Sequence, residues 1–491
     1  MYEIIRNEQG KVAILSPTGE IVSQWWYKIN IPNPRKGNLQ YYLAQNQDGK
    51  WAIFHLNDPF KPLSQWLDQI DTSIGLFQGE SQYYIAKDQQ RRKAIFHIDN
   101  PNQPISQWWN NIECIFLPSL LKGQSEYYVA INSSNQKALF HKDNPNTPIS
   151  SWWDWIEQYG LLEEKSDYYI ARYKKQGRAI FHKDDPNTPI SNWWNSIYPS
   201  GLVRGESPYY IAEDENDQRA IFHKDDPDKP VSQWWDWIEN DGLVKGESEY
   251  YIVRNQHKAY SIMHISDPDE PITQWWKSIS TYGLVKGQSR YYKVENNQGK
   301  EAIFHIDNPY EPISKWHDHI PLLGLVHGTS ECYAVTEPDR SAIYIYHFSD
   351  NSNPIYVLRD GYDKTPLYLD SNFAIYSTRQ HLILYDALTM TDNIISPVSV
   401  NMSKFPYRTY DNEHSYELNL EVTSRLISQY INHNFLPIVF STTRDNYCFL
   451  YTMDGQCIGE FDSIASFQNY IQQQVPKKQN NDLSCDIIRL Y

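Results

Sequence analysis

Residues Ala179 to Ile197 read AIFHKDDPNTPISNWWNSI: an apolar run, two prolines three residues apart, then two adjacent tryptophans. The same sentence recurs as AIFHIDNPNQPISQWWNNI from Ala94, ALFHKDNPNTPISSWWDWI from Ala138 and AIFHKDDPDKPVSQWWDWI from Ala220. Anchored on the first tryptophan, the copies fall at Trp25, Trp66, Trp108, Trp152, Trp193, Trp234, Trp275 and Trp316, in steps of 41, 42, 44, 41, 41, 41 and 41 residues. A fixed period of this length is the mark of a repeat architecture. Inside the unit the spacing is stricter still. From the histidine (His55, His97, His141, His182, His223, His264, His305) to the next anchor tryptophan is always 11 residues, and from the first tyrosine of the Tyr-Tyr pair to that histidine always 14. All length variation lies between the tryptophans and the next tyrosine pair, which predicts a surface loop there.

Each part of the unit has a local reading. Stretches such as SEYYIA and KAIFH are short, aromatic and β-branched, with polar residues between them, and predict a β-hairpin. The Asp/Asn-Pro-x-x-Pro that follows lacks backbone donors at its prolines, so the chain is expected to leave the sheet there. Ile149, Trp152, Trp153 and Ile156 fall at i, i+3, i+4 and i+7, which predicts one or two helical turns, with Ser150 as N-cap and Gly160 as a left-handed C-cap. One hairpin with a helical turn cannot bury its own apolar face, so the units must stack.

The resulting expectation is a β-rich repeat protein: stacked β-hairpin units, each with a short helical turn, in an open curved solenoid, with a closed propeller-like ring as the alternative. A compact N-terminal unit, GKVAILSPTGEIVSQWWYKI, closes 1–30; a regular array of about seven units fills 31–330; degenerate units occupy 331–491. Within the last stretch, worn copies are read at Cys332 to Asp363 and Phe373 to Ile395, an inserted amphipathic helix over Leu418 to Asn434, and a compact unit around Asp454-Gly455 with Phe461 in the tryptophan position.

Composition narrows the function. The chain has 491 residues with 40% hydrophobic and 15% aromatic content, enough for an extensive core. Lys and Arg total 44 against 60 Asp and Glu, a net charge of −16, which argues against nucleic acid or anionic membrane as partners. Five cysteines without metal spacing fit a reducing compartment, and no charged patch followed by a long apolar run opens the chain, so a cytoplasmic location is expected. The sequons at Asn132 and Asn401 are then chance matches.

Two segments, Gly10 to Ile29 and Asn446 to Ile464, carry a strand, a Thr-Gly or Asp-Gly turn, a second strand and an aromatic followed by Ile. This layout resembles the bacterial WG-repeat (KWG-type) family. The central copies depart from it: their unit is longer, and Asp/Asn-Pro-x-x-Pro replaces the glycine turn. What the resemblance implies is a bacterial protein that uses a β-rich repeat scaffold for interaction; it brings no catalytic residues.

Comparison between copies separates frame from variable positions. The anchor tryptophan is constant, as expected of core. Its neighbour is Trp26, Leu67, Trp109, Trp153, Trp194, Trp235, Trp276 and then His317. The tolerant position is therefore taken as the partner-contact surface, through Trp109, Trp153, Trp194, Trp235 and Trp276. The repeated histidine supplies one ligand per unit and is read as bonding its own loop. His317, His319 and His327, with His305 nearby, are the nearest approach to a metal set, but His-x-His alone does not gather the four ligands zinc needs, and no metal or cofactor is expected. No nucleotide-binding or hydrolase motif is present. The expected function is a non-catalytic scaffold or adaptor that binds a protein with a basic patch. A glycan-binding module, or a targeting arm for an enzyme in the C-terminal region, are the alternatives.

Overall fold

The computed structural model describes residues 3–31, 40–113, 119–336 and 342–359, and shorter stretches between 365 and 474. By contacts the chain divides into two compact regions, 1–256 with 264–270, and 257–263 with 271–491. Both are built from small antiparallel sheets of mostly three or four strands, and no closed barrel occurs among the described residues. The protein is a β-repeat protein.

The sheet centred on the opening sequence shows the plan of the first region. Tyr168–Arg172 and Arg178–His182 form the expected hairpin, in the register Tyr168↔His182 to Arg172↔Arg178. Their middle residues, Tyr169, Ile170, Ala171, Ala179, Ile180 and Phe181, are fully buried. Burial on both faces explains why these strands read as continuous apolar runs and not as alternation. One face (Tyr169, Ala171, Ala179, Phe181) packs on Val129 and Leu139 of the preceding sheet. The other face (Ile170, Ile180) packs on Tyr210, Ala212, Ala220 and Phe222 of the following one. Consecutive sheets therefore share one core.

Three expectations need correction. The Asp-Pro-x-x-Pro segment does not leave the sheet: Asp185–Pro189 turns back and pairs with Phe181 and His182 through a register shift. Asp226–Pro230 does the same in the next repeat, as does Asn308–Pro312 in the second region. The prolines are tolerated because this is an edge strand, and they blunt that edge against further pairing.

The helical turn does not form. Ile149 donates its N–H to Leu139 O, and Trp153 exchanges backbone bonds with Lys137, so this stretch is extended along its own hairpin. Trp155 and Ile156 then cross over and pair with Arg172 and Ala171 of the next hairpin. Ser150 caps no helix; its buried Oγ accepts the Leu139 N–H and donates to Ser151 O. Every four-stranded sheet of the array thus takes its first strand from the preceding repeat, as Ser196–Ile197 and Ser278–Ile279 also show.

The segment before the tyrosine pair is no surface loop. It carries a tight turn in which Leu202, Val203, Leu243 and Val244 are buried. Gly160 opens the equivalent turn with φ +79°, and a Cβ there would lie 2.4 Å from Tyr168 O and 2.6 Å from Val203 O. Ser81 Oγ donates to Leu121 O of the next turn at 2.6 Å, and Ser289 to Val326 O at 2.6 Å, so successive turns are bonded to one another.

The N-terminal repeat has the expected strand Val12–Leu15, but its partner is Glu3–Arg6, outside the expected unit; after the Thr-Gly turn only single bridges form, Leu15 to Ile21 and Val12 to Trp26. Near the C-terminus, Asn446–Thr452 pairs with Cys457–Phe461. The Asp454-Gly455 turn and Asn401 lie outside the described residues, as does most of Leu418 to Asn434. A helix that the sequence reading did not anticipate follows at Ile464–Gln474, with Ser463 Oγ accepting the Ser466 N–H at its start. It buries Ile464, Phe467 and Ile471. Among the described residues no helix is long and apolar enough to cross a membrane.

Candidate interaction surface

The tryptophan pair does not divide into a core member and a surface member. The second indole packs across onto the phenylalanine of the next repeat, and the constant first one packs beside the phenylalanine of its own repeat. Trp153 is 7% exposed, while Trp275 and Trp316 on the constant position are 38% and 36% exposed. Trp109, Trp194, Trp235 and Trp276 are half-buried, and so are Trp25, Trp66, Trp108, Trp152, Trp193 and Trp234 on the constant position. The geometry repeats closely. Trp153 lies 4.8 Å from the Phe181 ring of the next repeat, Trp109 4.9 Å from Phe140, Trp194 5.0 Å from Phe222, and Trp276 5.3 Å from Phe304. Each also touches the next repeat's first tryptophan, as Trp194 does Trp234 at 5.5 Å. The second position tolerates Leu67 and His317 because it fills space between sheets, where a smaller group still packs. The first lies at the rim.

In five repeats the second tyrosine of the pair holds the proline loop, whereas the buried hydroxyls of Tyr210 and Tyr251 make no such bond. Tyr42 donates to Pro59 O at 2.9 Å, Tyr84 to Pro101 O at 3.0 Å and Tyr169 to Pro186 O at 2.8 Å. Burial pushes these phenols well above the usual tyrosine range. Each ring stacks on the hairpin phenylalanine, Tyr169 on Phe181 at 5.4 Å. The sequence reading gave the tyrosines no such role; their constant spacing to the proline, 17 residues from Tyr169 to Pro186, was the available signal.

The repeated histidine organises its own loop, as read. His97 Nδ1 accepts the Asp99 N–H at 3.3 Å and His182 Nδ1 the Asp184 N–H at 3.2 Å, with equivalent bonds at His55, His141, His223, His264, His305 and His347. In five of these eight loops the residue so held is an aspartate that faces solvent; Asn57, Ser266 and Ser349 take its place after His55, His264 and His347. Asp99, Asp143, Asp184 and Asp225 have side chains 73–86% exposed in the first region.

His317, His319 and His327 do not converge. His317 is half-buried beside Tyr346 at 5.8 Å, His327 faces Tyr282 at 5.1 Å, and His319 reaches Glu301 at 3.3 Å. Among the described residues no three His, Cys, Asp or Glu side chains gather as a metal site. Glu301 belongs instead to a half-buried ion cluster that sequence reading missed. Lys293, at a position where the other copies carry an apolar residue, donates to Glu301 Oε1 and to Ile320 O, both at 2.9 Å. Burial alone would push the Glu301 carboxyl up. The bonds from His319, Lys293 and the Ile320 N–H outweigh it and bring the carboxyl down to about 2.

Most charges near the hairpin ends are likewise paired. Arg219 is buried between the rings of Tyr198 at 4.3 Å and Trp237 at 3.5 Å, and its Nε meets Glu213 at 3.0 Å. The Glu213 contact and burial of the ring hold the Tyr198 phenol up at about 12, burial being the larger cause.

No protein-family model matches the chain, and no curated relative does. Among solved structures, Hsv2 of Kluyveromyces lactis is similar over 61% of this chain and 96% of its own, at 12% identity and a TM-score of 0.29. A eukaryotic initiation factor is similar over 78% of this chain and 95% of its own, at 8% identity and a TM-score of 0.31. At that level of superposition neither decides how the sheets are arranged.

Proposed function

We propose that the chain is a non-catalytic scaffold that binds a protein through its repeat array. The observation that carries this reading is the recurrence, once per repeat, of a partly exposed first tryptophan, joined in five repeats by a solvated aspartate on the His-Pro loop. Aromatic rings supply contact area at low entropic cost, and carboxylates at fixed spacing complement a basic partner and speed encounter at low salt. The second tryptophans serve the partner indirectly, by setting the distance between repeats. Direct contact passes to the first tryptophans and to Tyr310, 65% exposed on its proline loop.

The sheets are taken to stack as an open curved array, with a closed ring of blades as the alternative. Four-stranded antiparallel sheets suit both, and a compact flat disc in small-angle scattering selects the ring. A WG-repeat origin fits a bacterial scaffold working in the cytoplasm. The binding reading is tested by affinity capture from the native host with the full chain and with the Trp275→Ser, Tyr310→Ser, Trp316→Ser triple variant, after far-UV circular dichroism has shown that it folds. Loss of one protein partner in the variant and at raised salt supports the scaffold. An unchanged set of captured proteins, or elution of the bound material by sugars, sinks it.

A further inference from the structure

In this acidic chain the hairpin end Arg172 to Arg178, sequence RYKKQGR, carries four cations and no carboxylate. Arg172 and Arg178 stand directly opposite each other in the ladder. Cross-strand neighbours sit about 5 Å apart at Cβ, and like charges so placed are destabilising. The equivalent pair in the next sheet is Glu213 and Arg219, joined by an ion pair at 3.0 Å. In the preceding sheet Lys137 is paired with Glu113. Where two glutamates oppose each other, Glu295 and Glu301, each has its own lysine, Lys277 and Lys293. Neither Arg172 nor Arg178 makes an ion pair with a described carboxylate.

The rings around the pair orient it. Trp155, the register partner of Arg172, lies under the Arg178 guanidinium at 4.9 Å. A guanidinium laid flat on an indole keeps its N–H edge free in a fixed plane. Lys174 lies over the Tyr173 ring at 4.7 Å. Two carboxylates are near: Asp154 accepts the Lys174 N–H, and buried Glu157, on which the Arg178 charge acts without an ion pair, accepts the Gln158 N–H at 2.8 Å. Lys87 and Lys93 form another like-charged pair, but they lack both the planar fork and the ring, and Asp88 in the same turn pairs with Arg92.

We propose that this hairpin end binds a phosphate group, with the Arg172 and Arg178 guanidinia holding its oxygens and Trp155 setting the plane of Arg178. A phosphomonoester carries nearly two negative charges at neutral pH and accepts bidentate bonds from arginine, so it matches two adjacent forks and relieves their repulsion. The group is either free or carried on a phosphorylated segment of a protein.

Isothermal titration of the full chain at constant ionic strength tests this, with inorganic phosphate in one arm and a neutral pentapeptide carrying one phosphoserine in the other. Saturable binding in either arm is expected, and the arm that binds tighter identifies the source. Arg172→Glu recreates the Glu213–Arg219 arrangement, so it should fold with a thermal midpoint at or above that of the native chain while weakening phosphate binding at least tenfold. Arg178→Gln should weaken it similarly, and Arg91→Gln, in an exposed turn of another repeat, should leave it unchanged. Arg172→Gln replaces Arg172→Glu if the charge reversal fails to fold. Absence of binding in both arms, undiminished binding by the folded Arg172 variant, or an equal loss in Arg91→Gln overturns the proposal.

Discussion

Replacing Trp153 by alanine should damage the protein far more than replacing Trp275, although Trp275 holds the constant position of the sequence. The Trp153 side chain is almost wholly buried, against Phe181 at 4.8 Å, Tyr173 at 5.8 Å and Trp193 at 6.1 Å. A buried indole removes about 200 Å² from water, worth about 5 kcal/mol at about 25 cal/mol per Å². Measured losses for such truncations run at about 3–5 kcal/mol, because neighbours relax into part of the cavity. Trp275 keeps 38% of its surface in water. Its loss should cost about 1–2 kcal/mol, since less area is at stake and the rim can close over the gap.

Urea unfolding followed by far-UV circular dichroism reads the difference without relying on the fluorescence that the substitution alters. The slope of the transition carries a second test. Trp153 sits at an interface between repeats, and repeat arrays lose cooperativity when one interface weakens. Trp153→Ala should therefore also lower the apparent slope or split the transition, while Trp275→Ala keeps it. Equal losses, or a larger loss at Trp275, would refute the assignment of the second tryptophan to the interface.

Other outcomes follow from the turns and the ion cluster. Gly201→Ala should cost more than about 2 kcal/mol by thermal denaturation, because its Cβ would meet Tyr209 O at 2.1 Å and Val244 O at 2.7 Å. Gly49→Ala, whose Cβ meets only Gln45 Nε2 at 3.9 Å, should cost about 1 kcal/mol, from its positive φ alone. Glu164 has a left-handed φ of +56° where neighbouring repeats carry Gly123, Gly205 and Gly246, so Glu164→Gly should stabilise by about 1 kcal/mol or less, the lost bond from the Glu126 N–H offsetting part of the gain. Glu301 is ionised more readily in the folded chain than in the unfolded one, so its contribution is present above the ordinary glutamate range and lost as pH falls toward about 2. Glu301→Gln should flatten the stability profile in that window; an unchanged profile would show that the cluster does not contribute.

The hairpins were legible because Tyr-Tyr-x-Ala and Ala-Ile-Phe-His have only one way to be buried on both faces, as paired central strands. The segment between them was not. Ile149, Trp153 and Ile156 fit a helical period, yet the same spacing arises when one extended chain serves two sheets in turn. Ile149 and Trp153 bond to their own hairpin, and Ile156 bonds to the next. Periodicity counts which residues are apolar and carries no information on which sheet receives them. Constancy misled in the same way. Trp152 and its equivalents never vary, but the Trp153 position, which packs across onto the next repeat, accepts leucine or histidine, because a smaller group still fills that space. The phosphate-site residues were invisible for a different reason: a pair of arginines six residues apart means nothing until the ladder register sets them opposite each other.

Donation of one strand per repeat changes what repetition does here. If each sheet were made within one repeat, neighbouring repeats would be joined by side-chain packing alone, and a lost repeat would leave two intact ends. Instead Trp155–Ile156 completes the Tyr168 sheet and Ser196–Ile197 the Tyr209 sheet, so removing any inner repeat strips a backbone ladder from the one after it. The bonded turns, such as Ser81 to Leu121 O, add a second backbone tie across the same boundary. Variation is then cheap only where neither tie reaches: the hairpin ends and the proline-loop tips. Those are the places where the copies differ in charge, where Tyr310 stands in place of the asparagine or aspartate of the five preceding copies, and where Arg172 faces Arg178. A frame locked at its boundaries leaves the hairpin ends and loop tips free to diverge, which is the condition under which one scaffold can carry unlike contacts on successive repeats.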